Sequence, residues 1–132
     1  MIRDHNGHVR RSSIQSLTVS FSFQITKAVA IFRGLVLAVN SGLLPLVVES
    51  STKAVIDMIN SGVAPQADIG VIIHDILSLL SKFPISISFV SRRANIVAHS
   101  FAKLAIESVF YLFWFNLCLP SVESFVLPNL VV

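Results

Sequence analysis

"ISFVSRRANIVAHSFAKLA", residues 87–105, changes its period halfway along. Ile85, Ile87 and Phe89 alternate with Ser86 and Ser88, which predicts a strand with one apolar face. From Ala94 onward the apolar positions are Ala94, Val97, Ala98, Phe101 and Ala105, and that spacing predicts a helix. Arg92, Arg93 and Asn95 sit at the junction, and His99 stands one turn into the helix. A strand that delivers a basic turn to a helix start is a unit of α/β architecture, so the segments before it decide which architecture this is.

Working back, Asp68 caps a predicted helix whose apolar positions are Ile69, Ile72, Ile73, Ile76 and Leu80. Ser51 or Thr52 caps another, running through Val55, Met58 and Ile59 to a stop at Gly62. "LPLVVES", 44–50, is a short apolar run of the kind buried on both faces of a parallel sheet. A longer helix is predicted from Ala28, with Ala28, Ile31, Leu35 and Ala38 on one face and Gly42 as its stop. Before it, Val19, Phe21, Phe23 and Ile25 alternate with Ser20, Ser22 and Gln24, which reads as a strand. At the start, "IRDHNGHVR", 2–10, reads as a hairpin closed by a two-residue turn at Asn6-Gly7. The order is strand, strand, strand, helix, strand, helix, helix, strand, helix. That order predicts a three-layer α/β fold around a mixed sheet.

Composition narrows the classes. The 132 residues suit one domain. They are 54% hydrophobic and 13% charged, with a mean hydropathy of +0.78, which is apolar for a free-standing globule. The single Cys118 excludes an internal disulfide and a Cys-rich zinc site. The net charge is +3, and no Asp or Glu lies between His5 and Val48. A mild basic excess permits a nucleic-acid partner without demanding one. No membrane span is expected: Arg33, Asn40, Ser41 and Pro45 interrupt the apolar run from Val29 to Val48. No Gly-rich phosphate loop and no nucleophile elbow is present. His5 and His8 flank the first turn, but two histidines lacking a third ligand are weak evidence for metal. The aromatic run Phe110–Phe115 reads as packing surface rather than a base-stacking platform.

Four phrases in order, "IRDHNGHV", "AVAIFRGLVLAVNSGL", "VVESSTKAVIDMINSG" and "ISFVSRRANIVAHSFAKLA", carry a resemblance. Together with the element order they resemble the ribonuclease H-like domain, in the reverse-transcriptase-associated type-1 form found in plants. The resemblance implies a mixed five-stranded sheet, here lacking its first, central strand, because Met1 falls within what looks like the second. It implies a domain over 1–107 and an apolar tail of the same domain over 108–132. It also leaves a gap to be filled by the strand around Val19 to Ile25, by the tail, or by a partner chain.

The resemblance implies nucleic-acid binding and cleavage of the RNA strand of RNA–DNA hybrids, using two Mg²⁺ ions held by carboxylates. The first carboxylate belongs to the absent strand. Lys27, Ser51 and His99 stand at the positions of the other three, so no catalytic position is intact and no cofactor is expected. Glu49 is the nearest acid to Ser51, and Asp57 and Asp75 fall on helices elsewhere. Arg92, Arg93 and Asn95 are the expected nucleic-acid-binding residues, for weak binding of a hybrid or duplex. The alternatives are a non-catalytic module with a protein partner at the exposed sheet edge, a retroelement-derived remnant, and a small membrane-associated protein.

Overall fold

The computed structural model describes residues 1–6, 8–14, 22–96 and 112–115, without the side chains of 12–14 and 112–115. The chain divides into two compact units. One is Ser20–Ser91; the other joins Met1–Val19 to Arg92–Val132.

The first unit opens with helix α1, Phe23–Asn40. Ser22 caps it, its Oγ accepting the Ile25 N–H at 3.3 Å. The strand predicted over Val19 to Ile25 is therefore corrected at its C-terminal end, where Phe23–Ile25 are helical; residues 15–21 lie outside the described residues. The stripe Ala28, Ile31, Leu35 and Ala38 is buried, as its spacing predicts. The helix stops at Gly42, which takes φ +67°. Leu43 N–H donates to the Ala38 carbonyl and Gly42 N–H to that of Val39, the paired bonds of a Schellman ending. The apolar run from Val29 to Val48 is thus split between a helix and a strand.

Strand β3, Leu46–Ser50, leads into α2, Lys53–Asn60, which Gly62 ends at φ +74°. Thr52 is the N-cap residue by position, although its side chain makes no capping bond. Helix α3, Asp68–Lys82, follows. Ala67, not Asp68, is its N-cap; Asp68 begins the first turn and Lys82 lies in the last, so both charges suit the helix dipole. Strand β4, Ile85–Phe89, returns parallel to β3, with Leu46 opposite Ile85 and Val48 opposite Ile87.

The core of this unit is Leu35, Val55, Ile56, Ile59, Ile73 and Ile76, with Ile87 contributed by β4. Each such side chain contributes about 1.5–3 kcal/mol by leaving water. β3 is not buried on both faces as expected. Its burial alternates, Val47 is 64% exposed and Glu49 is exposed, because Leu46, Val48 and Ser50 share one half-buried face, from which Leu46 and Val48 pack against the core.

The second unit contains β1, Ile2–Arg3, β2, Val9–Ile14, and β5, Leu112–Phe115, in an antiparallel sheet ordered β1-β2-β5. The hairpin is present, but its connection is longer than predicted. Arg3 pairs with Val9, and Asp4 N–H donates to the His8 carbonyl at 3.0 Å. Three residues rather than two therefore separate the paired positions 4 and 8. Asp4 favours the longer loop: its Oδ1 accepts the N–H groups of Asn6 at 2.9 Å and His8 at 3.0 Å. β5 is a strand that no alternation announces; it pairs Arg11 with Phe115 and Ile14 with Leu112. The class is mixed α/β as expected, with its described strands in two sheets, one antiparallel and one parallel. Among the described residues, no strand flanks β3 on the side away from β4.

Candidate functional site

The turn that follows β4 is where the sequence places a nucleic-acid contact. Val90 N–H donates to the Ser50 carbonyl, which holds the end of β4 against β3. Arg92–Asn95 then form a turn closed by the Asn95 N–H donating to the Arg92 carbonyl at 3.2 Å. Arg92 and Arg93 are exposed and Asn95 is half-buried. Ala94 lies in this turn and Ile96, just after Asn95, is helical; the continuation of the predicted helix past residue 96, with His99, lies outside the described residues.

Lys27 and Ser51 belong to the other unit. Lys27 sits on the second turn of α1, half-buried, with Nζ 5.3 Å from the centre of the Phe23 ring. Such a contact contributes roughly 0.5–1 kcal/mol at an exposed site. Ser51 lies between β3 and α2, half-buried, beside the Thr52 N–H donated to Ser50 Oγ at 3.3 Å.

The acids are dispersed. Glu49 is exposed on β3 opposite Ser88. Asp57 accepts from Lys53 Nζ at 2.8 Å, and Asp75 lies 3.7 Å from His74 Nδ1, both pairs on exposed helix faces. Among the described residues no three His, Cys, Asp or Glu side chains gather to hold a metal ion. A pair of hard divalent cations needs convergent carboxylate oxygens. An ammonium at Lys27 and a hydroxyl at Ser51 do not supply them, so these residues do not fit the magnesium ions of a two-metal nuclease.

Asp4 carries the hairpin loop. Partial burial raises its carboxyl, but the backbone N–H groups of His8 and Asn6 and the nearby His8 and His5 rings outweigh that and hold it below its ordinary 3.8. Arg10 approaches the same carboxylate at 3.9 Å, and Arg11 Nη1 donates to the Arg10 carbonyl at 2.8 Å. Sequence reasoning singles out Arg92 and Arg93 but not Arg3, Arg10 and Arg11 as a group; the acid-free run from His5 to Val48 points to Arg10 and Arg11, while Arg3 lies before it beside Asp4.

Charge follows the division into units. The hairpin unit holds Arg3, Arg10, Arg11, Arg92, Arg93 and Lys103 against Asp4, Glu107 and Glu123. The other holds Lys27, Arg33, Lys53 and Lys82 against Glu49, Asp57, Asp68 and Asp75. The whole formal excess of +3 therefore lies in the hairpin unit, and Ser20–Ser91 is neutral.

No curated protein and no solved structure matches the chain. A family model described as reverse transcriptase-like matches residues 1–105, a span that includes both the hairpin and the basic turn. With the strand–helix order and the parallel crossover of Ser20–Ser91, this match shows that the chain belongs to the reverse transcriptase-like family, whose domain is ribonuclease H-like and whose business is with nucleic acids.

Proposed function

We propose that this chain is a ribonuclease H-like domain that binds nucleic acid through backbone phosphates and does not hydrolyse it. The observation that carries the reading is the mismatch between retained scaffold and absent acids. Lys27 and Ser51 occupy positions that the resemblance assigns to metal-holding carboxylates, and the described acids lie apart. A lysine ammonium there opposes a divalent ion by about 4 kcal/mol per unit charge at 4 Å and an effective dielectric of 20. Arg92 and Arg93, exposed on their turn, with Asn95 beside them, contact phosphate. Binding of this kind is weak, independent of sequence and salt-sensitive; a preference for RNA–DNA hybrids would come from groove shape and 2′-hydroxyls.

The finer identity we propose is the plant reverse-transcriptase-associated, type-1 form, derived from a retroelement, with the domain over 1–107 and its apolar tail over 108–132. α1 is apolar and long enough to cross a bilayer, with 18 residues. Its stripe Ala28, Ile31, Leu35 and Ala38 is buried, and Ala28, Ile31 and Leu35 pack in the same core as α2 and α3, which favours a core helix over a membrane segment.

The test is a binding and cleavage assay with a labelled RNA–DNA hybrid and Mg²⁺. The expected result is retention of intact hybrid at low salt, lost on adding salt, with no RNA product. Mg²⁺-dependent cleavage by the purified chain overturns the reading. A second reading, protein pairing at β3, is favoured by the side of that strand that no strand among the described residues flanks and by exposed Val47. It predicts a partner whose capture is unchanged by Arg92→Ala with Arg93→Ala.

A further inference from the structure

We propose that the β1–β2 hairpin is a second phosphate-binding element, in which Arg3, Arg10 and Arg11 contact the nucleic-acid backbone in addition to the Arg92–Arg93 turn. The proposal deepens the nucleic-acid reading above and rests on it.

Three observations lead to it. The first is charge segregation: the hairpin belongs to the unit that carries the entire net positive charge, and its only acid among the described residues is Asp4. Asp4 is engaged by the loop itself, accepting two backbone N–H groups through one oxygen, and it approaches Arg10 no closer than 3.9 Å. The carboxylate therefore organises the loop, and the hairpin sequence as a whole carries three arginines and one acid.

The second is residue type. All five cations described in this unit are arginines. A guanidinium is a planar fork that meets two phosphate oxygens at once and is less strongly hydrated than an ammonium. Lysines would serve as well for solubility alone.

The third is local geometry. Ile2 pairs with Arg11 and Arg3 with Val9, so the register shifts and Arg10 is the extra residue. Such a bulge re-aims the side chain that carries it. The Arg10 side chain is 49% exposed, and its carbonyl accepts from Arg11, which places consecutive guanidinium groups at one bend of the strand. The hairpin lies in the same unit as Arg92 and Arg93, so that unit presents two arginine groups drawn from sequence positions far apart.

The experiment is fluorescence anisotropy of a labelled RNA–DNA hybrid with the full chain across a range of NaCl concentrations. On duplex DNA each phosphate contact contributes about 0.9 to the slope of log affinity against log salt. The triple variant Arg3→Gln, Arg10→Gln, Arg11→Gln is expected to lower that slope by about 2–3, and Lys53→Gln with Lys82→Gln to leave it unchanged. Circular dichroism reports whether the triple variant folds. If it does not, Arg10→Gln alone is used, with an expected fall of about 1, and Arg10→Lys is expected to retain the slope.

An unchanged slope in the folded hairpin variant overturns this inference. If Arg92→Gln with Arg93→Gln still lowers the slope, the function proposed above survives that failure. A slope lowered by the hairpin variant but not by the turn variant supports the hairpin and removes the turn. No binding of hybrid or duplex by the unmodified chain overturns both.

Discussion

Within Ser20–Ser91 lie all the buried apolar residues among those described, from Ala28 to Ile87, and its charges cancel. Its acids have local roles: Asp57 pairs with Lys53, Asp68 opens α3 and Asp75 sits beside His74. The unit joining Met1–Val19 to Arg92–Val132 is the reverse, with arginines in excess and its one described acid tied to a loop. Apolar burial is nearly indifferent to salt, whereas attraction to phosphate is screened by it. The difference teaches that holding the fold and holding a polyanion are separable in this chain, and substitutions can test the separation.

The largest effect is expected from Ile73→Ala, which empties a position on α3 that is 0% exposed. Urea unfolding should show a loss of about 2–5 kcal/mol, while the salt slope of hybrid binding stays the same in the folded fraction. A changed slope would break the comparison. Gly70→Ala comes next. A Cβ there runs into the Pro65 carbonyl oxygen, a backbone atom that cannot swing away, so thermal melting should report a loss of roughly 1–3 kcal/mol.

Arg92→Ala with Arg93→Ala is expected to move stability by less than about 0.5 kcal/mol, since both side chains are exposed, and to lower the salt slope by about 2. Gly34→Ala sharpens the picture from the other side. A Cβ at Gly34 meets nothing within 4 Å, so removing glycine from the interior of α1 should raise stability by about 0.5–1 kcal/mol in the same melting experiment.

The smallest effect concerns Asp4. Its carboxyl is held below its ordinary 3.8, so the folded hairpin favours the ionised form. That stabilisation is complete above 3.8 and is lost as pH falls through the lower folded value. Amide shifts of Asn6 and His8, followed by NMR during acid titration, should move together below 3.8; shifts complete before that point would refute the loop geometry.

Most of Ser20–Ser91 is legible in the sequence because its periods are clean. The stripe of α1, the stops at Gly42 and Gly62 and the alternation of β4 follow from residue type and spacing alone. Phe23 and Ile25 mislead because they fit a period of two over a short window, while the deciding signal is the single hydroxyl of Ser22 at the cap. β5 is hidden for another reason: Leu-Phe-Trp-Phe has no polar face, and its partner lies about a hundred residues earlier, a pairing no local pattern encodes. At Gly70, inside α3, the chain at Pro65 approaches closely, a contact that no local spacing encodes. Of the site, sequence places Arg92 and Arg93 on a turn, as found, but the grouping of Arg3, Arg10 and Arg11 needs the strand register.

The parallel pairing of β3 with β4 also bears on the rate of folding. Leu46 meets Ile85 across roughly forty residues of chain, so the two strands cannot find each other as a hairpin does. Closing that separation costs chain entropy before any strand contact repays it, so folding should be slower than the helical content alone would suggest.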